Sequence, residues 1–334
     1  MISRKGKTML LEQGATLLAS AAVGGKKEGE GPLSDSFDLI IKDSYAGQKS
    51  WEKAETTLQK QAVTLTLQKA GVSANEVDMM LSGDLINQCT PSCYAASSLG
   101  IPSVGLFGAC STAAESLALG ALMVESGAAN TALCLTSSHF CTAERQFRTP
   151  LAYGGQRAPT AQWTVTGAGA FLLGKGSGVK VKGVCIGKPV DMGISDVTNM
   201  GAAMAPAACD TIAQFLKDTG KPASDFDLIL TGDLGSVGHR IVSEQMKQQG
   251  IDLGQRYNDC GLLVYDLKQQ DMHAGGSGCG CSAVVLAGHV LKKMNEGAFS
   301  NVLLVGTGAL MSPMSLQQGD TIVGIAHLVW LSTK

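Results

Sequence analysis

The chain alternates short apolar runs with longer segments of helical periodicity. The apolar run from Val104 to Phe107 leads into a turn of small residues, Gly108-Ala-Cys-Ser-Thr112, and a helix is predicted from about residue 111 to 125. A second buried helix is predicted over about 282–295, where Val284, Ala287, Val290, Leu291 and Met294 form one apolar face. Strands that alternate with buried helices predict an α/β protein whose sheets are largely parallel and covered by helices on both sides.

The same order of elements occurs twice along the chain. Asp78-Met-Met-Leu-Ser-Gly-Asp-Leu85 resembles Asp227-Leu-Ile-Leu-Thr-Gly-Asp-Leu234, and residues 127–136 resemble residues 297–306. We therefore predict two similar halves, residues 1–175 and 176–334. Two such halves side by side bring the N-termini of their buried helices together, which predicts one shared cleft between Cys110 and the segment 273–282.

Cys110 lies where the first buried helix begins. The helix dipole and the unpaired N–H groups of the first turn favour a thiolate there, so the turn suits either a nucleophile or a bound anion. The alternative is an inert buried side chain, since free cysteine is among the most buried residue types.

Composition narrows the class of partner. Charged residues make up 16% of the 334 residues and the net charge is −2, which does not favour nucleic acid as a partner.

The ten cysteines are scattered, several of them in apolar segments, as expected of reduced intracellular thiols. A zinc site at Cys89, Cys93, Cys279 and Cys281 is an alternative with loose spacing, and we predict no metal and no cofactor. Neither a signal peptide nor a membrane-spanning segment is expected.

Three segments resemble the thiolase superfamily, which includes the thiolases and the ketoacyl-ACP synthases. They are the Cys110 turn, Thr166-Gly-Ala-Gly-Ala-Phe-Leu-Leu-Gly174 and Gly306-Thr-Gly-Ala-Leu-Met-Ser-Pro313. The resemblance implies a duplicated thiolase-like fold of five layers, α-β-α-β-α, with Cys110 as the acyl-accepting residue. His273 matches the family's histidine and glycine-rich turn only in part. The asparagine expected near residue 280 is absent, and Thr307 stands where thiolases have a second cysteine.

A closer resemblance covers nearly the whole chain. The chain resembles the stage V sporulation protein AD family of spore-forming Firmicutes in Gln48-Lys-Ser-Trp-Glu52, Gly83-Asp-Leu-Ile-Asn-Gln88, Ser137-Ser-His139, Gln146-Phe-Arg148, Tyr153-Gly-Gly-Gln156, Met204-Ala-Pro-Ala207, Asp259-Cys-Gly-Leu-Leu263 and His273-Ala-Gly-Gly-Ser-Gly278. This implies a non-catalytic protein that binds dipicolinic acid (pyridine-2,6-dicarboxylate) for uptake into the developing spore and release at germination. It also implies peripheral association with the spore inner membrane, with channel proteins there as partners. The superfamily implies a homodimer through strands of the first half.

We expect the ligand's carboxylates and ring nitrogen to meet helix N–H groups, hydroxyls, a protonated histidine and an arginine. The candidate ligand-binding residues are Cys110, Asn87, Ser137, His139, Arg148, His273 and Thr307. His139 could equally be a structural hydrogen-bonding residue, His273 a loop residue that contacts backbone, and Arg148 part of a solvated loop. Asp84 and Asp233 end paired strands, where a structural role is favoured. The alternative function is an acyltransferase with Cys110 as nucleophile and His273 as its catalytic partner.

Overall fold

The structure, a computed structural model, describes residues 1–147 and 157–334. The strands up to residue 174 are β1 (Ile2–Lys5), β2 (Thr8–Gly25), β3 (Leu39–Ile41), β4 (Met79–Gly83), β5 (Ser103–Gly105), β6 (Ala132–Ser138), β7 (Trp163–Thr164) and β8 (Gly167–Gly174). The later strands are β9 (Lys180–Cys185), β10 (Leu228–Thr231), β11 (Tyr257–Asp259), β12 (Gly276–Ser277), β13 (Asn301–Leu310) and β14 (Val323–Ser332).

The predicted buried helices are both present. The helices are α1 (Trp51–Ala70), α2 (Thr90–Leu99), α3 (Thr112–Ser126), α4 (Phe140–Phe147), α5 (Met200–Thr219), α6 (Gly235–Gln248), α7 (Cys260–Leu263), α8 (Cys279–Val284), α9 (Leu291–Asn295) and α10 (Pro313–Gln317). A π-helical stretch, Val285–Val290, joins α8 to α9 and makes them one continuous element. Helix α1 begins at a Ser50 N-cap and ends at Gly71, which has the left-handed conformation that glycine tolerates best.

The order of strands in the main sheet shows the duplication. The order is β5-β4-β6-β8-β2-β9-β14-β13-β10-β11. From the junction of β2 and β9 outward, the first half runs β2-β8-β6-β4-β5 and the second half runs β9-β14-β13-β10-β11, so the strands correspond one to one. Strand β2 is long enough to pair with β9 through its first part and with β8 through its second. The half-sheets are therefore hydrogen-bonded edge to edge. The division at residues 175 and 176 falls between β8 and β9 and stays a prediction.

Helix α3 occupies the middle layer, because it packs against β2 and β6 of the first half and against β13 and β14 of the second. Small residues allow this close approach: a Cβ on Gly120 would lie 2.7 Å from Cys134 Sγ. Helix α8 lies beside α3, α1 and α2 cover the first half-sheet, and α5 and α6 cover the second. The arrangement confirms the predicted α/β fold with five layers, α-β-α-β-α. The prediction of largely parallel sheets is wrong, because the strands in the middle of the sheet, from β6 through β8, β2, β9 and β14 to β13, pair antiparallel.

A buried polar contact joins the halves. Glu28 is fully buried and accepts hydrogen bonds from the Tyr265 hydroxyl and, at 2.9 Å, from the backbone N–H of Thr166. Burial raises the pKa of the Glu28 carboxyl to about 7, although the hydrogen bonds from Tyr265 and Thr166 oppose that rise.

Three further observations bear on the sequence predictions. All ten cysteines are free thiols. Within the described ranges, no three histidine, cysteine or acidic side chains are grouped as a metal ion would require. None of the helices seen there combines the length and the apolar character needed to span a membrane.

Candidate functional site

A cavity of about 270 Å³ lies where α3 begins, between the ends of strands from both halves. Its lining is mostly apolar, with a few polar and acidic side chains. The lining residues are Asp84, Leu85, Asn87, Phe107, Ala109, Cys110, Ala143, Glu144, Phe147, Thr164, Met200, Ser277, Ala309, Leu310, Met311, Ser312 and Pro313. Of the residues predicted from the sequence to bind ligand, Cys110 and Asn87 are in this lining.

The turn that carries Cys110 is held tightly against β13. Ala109 has a φ of 49°, a left-handed conformation that costs energy for a residue with a side chain. Two glycines of β13 make room for the turn. A Cβ on Gly308 would lie 2.6 Å from the Gly108 carbonyl oxygen, and one on Gly306 would lie 2.7 Å from the Ala114 Cβ. The position of the thiol is thus fixed by backbone packing between the halves.

The Cys110 thiol is buried near a carboxyl group. Cys110 is 7% exposed, and Asp233, which follows β10, is fully buried. Burial raises the pKa of Cys110 well above its ordinary value, and the charge of Asp233 raises it further. This direction is opposite to the one predicted from the helix N-terminus, because desolvation and a neighbouring carboxylate act against the dipole.

Asp233 is bonded on several sides. It accepts hydrogen bonds from the Gly278 N–H at 2.8 Å, the Thr307 hydroxyl at 2.8 Å and the Ser277 hydroxyl at 3.2 Å. The Thr307 Oγ1 also accepts the Asp233 N–H at 3.1 Å. The Thr307 hydroxyl proton is therefore committed to Asp233, and Thr307 is not in the cavity lining.

The loop that follows β4 forms another wall of the cavity. Asn87 Oδ1 accepts a hydrogen bond from Gln146 Nε2 at 2.9 Å, which orients the Asn87 amide at the exposed rim. Asp84 accepts the backbone N–H groups of Ile86 at 2.8 Å and Ser92 at 3.0 Å. The structural role favoured for Asp84 agrees with these contacts, and the Asp84 side chain also lines the cavity.

Ser137 lies outside the cavity, in a buried polar network beneath α1. Its hydroxyl donates to Glu55 at 2.8 Å and accepts from Gln59 Nε2 at 2.7 Å. Burial raises the pKa of Glu55, and the charge of Asp84 raises it further. The Thr142 hydroxyl contacts both Glu55 Oε2 and the His139 carbonyl oxygen at 2.9 Å. The Thr142 hydroxyl has one proton and can donate it to only one of these two oxygens. Both contacts are hydrogen bonds if Thr142 donates to the His139 carbonyl and a protonated Glu55 donates to Thr142.

The two candidate histidines also lie outside the cavity lining. His139 accepts the Cys141 N–H at Nδ1, so its Nε2 donates to the Ser44 carbonyl oxygen at 2.8 Å, and burial lowers its pKa. His273 bonds through Nδ1 to the Ala158 carbonyl oxygen at 2.8 Å and lies 3.3 Å from Asp271. Both contacts match the structural alternatives given above. Among the described residues that line the cavity there is no histidine, lysine or arginine, and Arg148 lies outside the described residues.

Sequence reasoning missed the apolar lining and the effect of Asp233 on the pKa of Cys110. Phe107, Phe147, Met311 and Pro313 belong to segments already singled out, whereas Met200 carried no separate signal. Asp233 was considered for a structural role alone, because its distance from Cys110 depends on how the two halves meet.

Solved structures of low sequence identity define the class of fold. 3-Oxoacyl-[acyl-carrier-protein] synthase III from Aquifex aeolicus VF5 is 13% identical with a TM-score of 0.59, over 96% of this chain and 100% of that one. Cerulenin-bound OleA of Xanthomonas campestris is 15% identical with a TM-score of 0.61, over 98% of this chain and 100% of that one. The chain therefore has the thiolase-like fold of the ketoacyl-ACP synthase III class, as predicted.

Sequence comparison identifies the family within that fold. The model of the family "Stage V sporulation protein AD (SpoVAD)" matches residues 5–332. Stage V sporulation protein AD of Bacillus subtilis (strain 168) is 46% identical over 322 residues, which are 96% of this chain and 95% of that protein. The chain belongs to the stage V sporulation protein AD family, which confirms the resemblance seen in the sequence.

Proposed function

We propose that this sporulation protein binds dipicolinic acid reversibly in the Cys110 cavity, for its uptake into the developing spore and its release at germination. The observation that carries the proposal is the cavity itself. It keeps a cysteine at the start of a buried helix, as an acyl-accepting site would, but burial raises the pKa of the thiol, and the described residues of the lining include no histidine. Acyl transfer through cysteine needs an activating base or a lowered pKa. These two features support binding rather than turnover.

The shape and lining of the cavity suit a small planar ligand. Phe107, Phe147 and Met311 offer apolar surface to the faces of an aromatic ring. Asn87, whose Oδ1 accepts from Gln146, offers its Nδ2 group as a donor at the edge, where a carboxylate or the ring nitrogen would lie. Small-molecule sites commonly combine such an apolar lining with a few polar groups.

The negative charge of dipicolinate calls for a cation. Asp84 and Glu144 are the acidic residues of the lining. Arg148, the arginine predicted from the sequence, comes directly after Phe147, which lines the cavity. We propose Arg148 as the partner of one carboxylate, because a guanidinium binds a carboxylate through two parallel hydrogen bonds.

Calorimetry of the purified protein with dipicolinate tests the proposal. Cys110→Ala and Arg148→Ala are each expected to weaken binding by about tenfold or more, as expected for loss of a charge-assisted contact or of the cavity wall. Arg145→Ala is the matched control, because Arg145 pairs with Glu52 and lies over the Trp51 ring. Benzene-1,3-dicarboxylate tests the contribution of the ring nitrogen. Absence of binding heat at millimolar dipicolinate, with folded protein, would refute the proposal.

The fold and the position of Cys110 favour acyl transfer as a second candidate. In that reaction the Cys110 sulfur would attack the thioester of an acyl-CoA, and the CoA thiol would leave with the proton. Intact mass after incubation with acyl-CoA decides between the two functions. A gain of one acyl group that Cys110→Ser abolishes would support transfer, and an unchanged mass would count against it.

We further propose that the protein is a homodimer that pairs through β5. The two ends of the main sheet support this, because they differ in exposure. All three residues of β5 are exposed, with Val104 at 50%, while Tyr257 and Asp259 of β11 are buried. An exposed edge strand with apolar side chains is a ready surface for a second strand. Sedimentation of Val104→Arg should give a monomer, and Met192→Arg, at another exposed apolar position, should not.

Peripheral association with the spore inner membrane and its channel proteins is also a proposal. Pull-down from solubilised spore membranes should recover membrane proteins with the tagged chain. Recovery of the same proteins with an unrelated tagged protein would contradict it.

A further inference from the structure

Two residues that lie far apart in the sequence meet at the rim of the cavity. Asn87 belongs to the loop after β4, and Gln146 lies in the last turn of α4. Gln146 Nε2 donates to Asn87 Oδ1 at 2.9 Å, and the Asn87 backbone N–H donates to Gln146 Oε1 at 3.4 Å. The two residues thus form a reciprocal pair of hydrogen bonds, in which Asn87 lines the cavity and Gln146 contacts it from outside the lining.

The direction of these hydrogen bonds fixes both side-chain amides. A backbone N–H can only donate, so the Gln146 atom that faces it is the oxygen, Oε1. The Gln146 nitrogen is then the atom that meets Asn87, and the Asn87 atom that accepts from it is Oδ1. The Asn87 Nδ2 group, which carries two protons, is therefore left to donate to a ligand in the cavity.

The loop that carries Asn87 is held in one conformation by further hydrogen bonds. Gln88 and Cys89 have φ values of 62° and 48°, a left-handed conformation that costs energy for residues with side chains. The Thr90 hydroxyl donates to the Asn87 carbonyl oxygen at 2.8 Å, and the Cys89 N–H donates to the Ile86 carbonyl oxygen at 3.0 Å. Strained conformations of this kind cluster at ligand-binding sites, where one side chain must keep its position.

Two hydroxyl groups of the lining have their protons committed elsewhere. The Thr164 hydroxyl donates to Glu144 at 3.5 Å, and the Ser277 hydroxyl donates to Asp233 at 3.2 Å. A carboxylate ligand needs donors, because an ionised carboxylate only accepts. The direction in which the Asn87 amide points therefore bears directly on which ligand group the cavity can bind.

We propose that Gln146 is a positioning residue that turns the Asn87 amide nitrogen toward the cavity, so that the site selects a carboxylate over a ligand group that donates. The inference rests on the proposed function and deepens it, because it names the residue that sets the preference for a carboxylate. Gln146 acts through Asn87 and does not contact the ligand itself.

Gln146→Glu tests the inference by reversing the Asn87 amide. The new carboxylate would accept from both the backbone N–H and the Nδ2 group of Asn87, so that Asn87 Oδ1 turns toward the cavity. Calorimetry then compares dipicolinate with the monoamide of dipicolinic acid, in which one carboxylate is replaced by a carboxamide that can donate. Gln88→Glu is the matched control, because it adds the same charge at the neighbouring exposed residue, whose hydrogen bond is made through its carbonyl oxygen.

The wild-type protein should bind dipicolinate more tightly than the monoamide, because charge-assisted hydrogen bonds are the stronger ones. Gln146→Glu should weaken dipicolinate binding by about tenfold more than Gln88→Glu does, since a carboxylate oxygen would then face the Asn87 oxygen. The monoamide should lose less, because its carboxamide can donate to that oxygen. Gln146→Met removes both hydrogen bonds without adding charge and should also lose part of the preference for dipicolinate.

A second measurement needs no ligand. In protein that carries isotope-labelled asparagine, the Asn87→Asp variant identifies the signal of the Asn87 side-chain amide in the NMR spectrum. One of the two Nδ2 protons should move downfield in Gln146→Glu, where it meets the new carboxylate, and both should keep their wild-type positions in Gln88→Glu.

Two results would overturn the inference. One is a folded Gln146→Glu protein whose preference between the two ligands equals that of Gln88→Glu. The other is an Asn87 amide signal that is the same in the wild-type and Gln146→Glu proteins. If the wild-type protein binds no dipicolinate, the proposed function fails, and the amide signal still decides whether Gln146 orients Asn87.

Discussion

Glu28→Gln tests the buried contact that joins the two halves. The Glu28 carboxyl accepts from Tyr265 and Thr166 in a fully buried position, and its Oε2 atom has no hydrogen-bond partner. Glutamine keeps the shape and an accepting oxygen but has no charge to bury. The substitution therefore isolates the cost of ionising Glu28 inside the protein.

The magnitude follows from the pKa of Glu28, which burial raises from 4.5 to about 7. Because the folded state holds this proton more tightly than the unfolded state, its stabilising effect is complete below the unfolded pKa and is lost as pH rises through the folded pKa. The full shift corresponds to about 3.4 kcal/mol at about 1.36 kcal/mol per pKa unit. Between about pH 5 and about pH 8 the wild-type protein should lose about 2.5 kcal/mol relative to Glu28→Gln.

Urea unfolding of both proteins at these two pH values measures the difference. Glu30→Gln is the control, since Glu30 lies two residues away on the same turn and is exposed. Its pH dependence should equal that of the wild type. If Glu28→Gln also keeps the wild-type pH dependence, with unchanged denaturant slopes, Glu28 ionises in the folded state as freely as in the unfolded chain, and the reasoning from burial fails.

Three further substitutions test the site and its surroundings. Gly306→Ala places a Cβ 2.7 Å from the Ala114 Cβ, so it should lower the melting temperature by several degrees and weaken dipicolinate binding. Gly183→Ala is the control and should be tolerated, because the nearest atom to the added Cβ is the end of the Leu10 side chain, at 3.1 Å. His139→Ala leaves the Ser44 carbonyl and the Cys141 N–H unpaired, so it should lower the free energy of unfolding in urea by about 1–3 kcal/mol. The loss should be the same at all pH values above the lowered pKa of His139, and calorimetry should show little change in dipicolinate affinity. In Glu55→Gln the glutamine amide can donate to Thr142 as the protonated acid does. Thermal melts above neutral pH should therefore show a protein at least as stable as wild type, with a melting temperature that depends less on pH.

The fold could be predicted because its signals are local and repeated. The two Gly-Asp-Leu strand ends and the two buried helices each carry their periodicity within a few residues, and the duplication pairs them. The edge-to-edge junction of the half-sheets could not be predicted in this way. It depends on the long strand β2 changing partner from β9 to β8 along its length.

The site was predicted less completely, because side chains at strand ends alternate between faces. Gly306 and Gly308 face α3 and the Cys110 turn, so Thr307 between them points to the opposite face of the sheet. Ser137 in β6 likewise points toward α1, while its neighbour Ser138 contacts Gly280 in the middle layer. A polar side chain at a strand end near the cavity can therefore face either side of the sheet, and only one of these sides faces the cavity.

The duplication also explains why an acid stands at the corresponding place in both halves. Asp84 follows β4 and Asp233 follows β10, and each binds nearby N–H and hydroxyl groups. Asp84 bonds to Ser92, and Asp233 bonds to Thr307, Ser277 and Gly278, so each acid finds its partners within its own half. The same strand-end acid thus stabilises a turn in both halves.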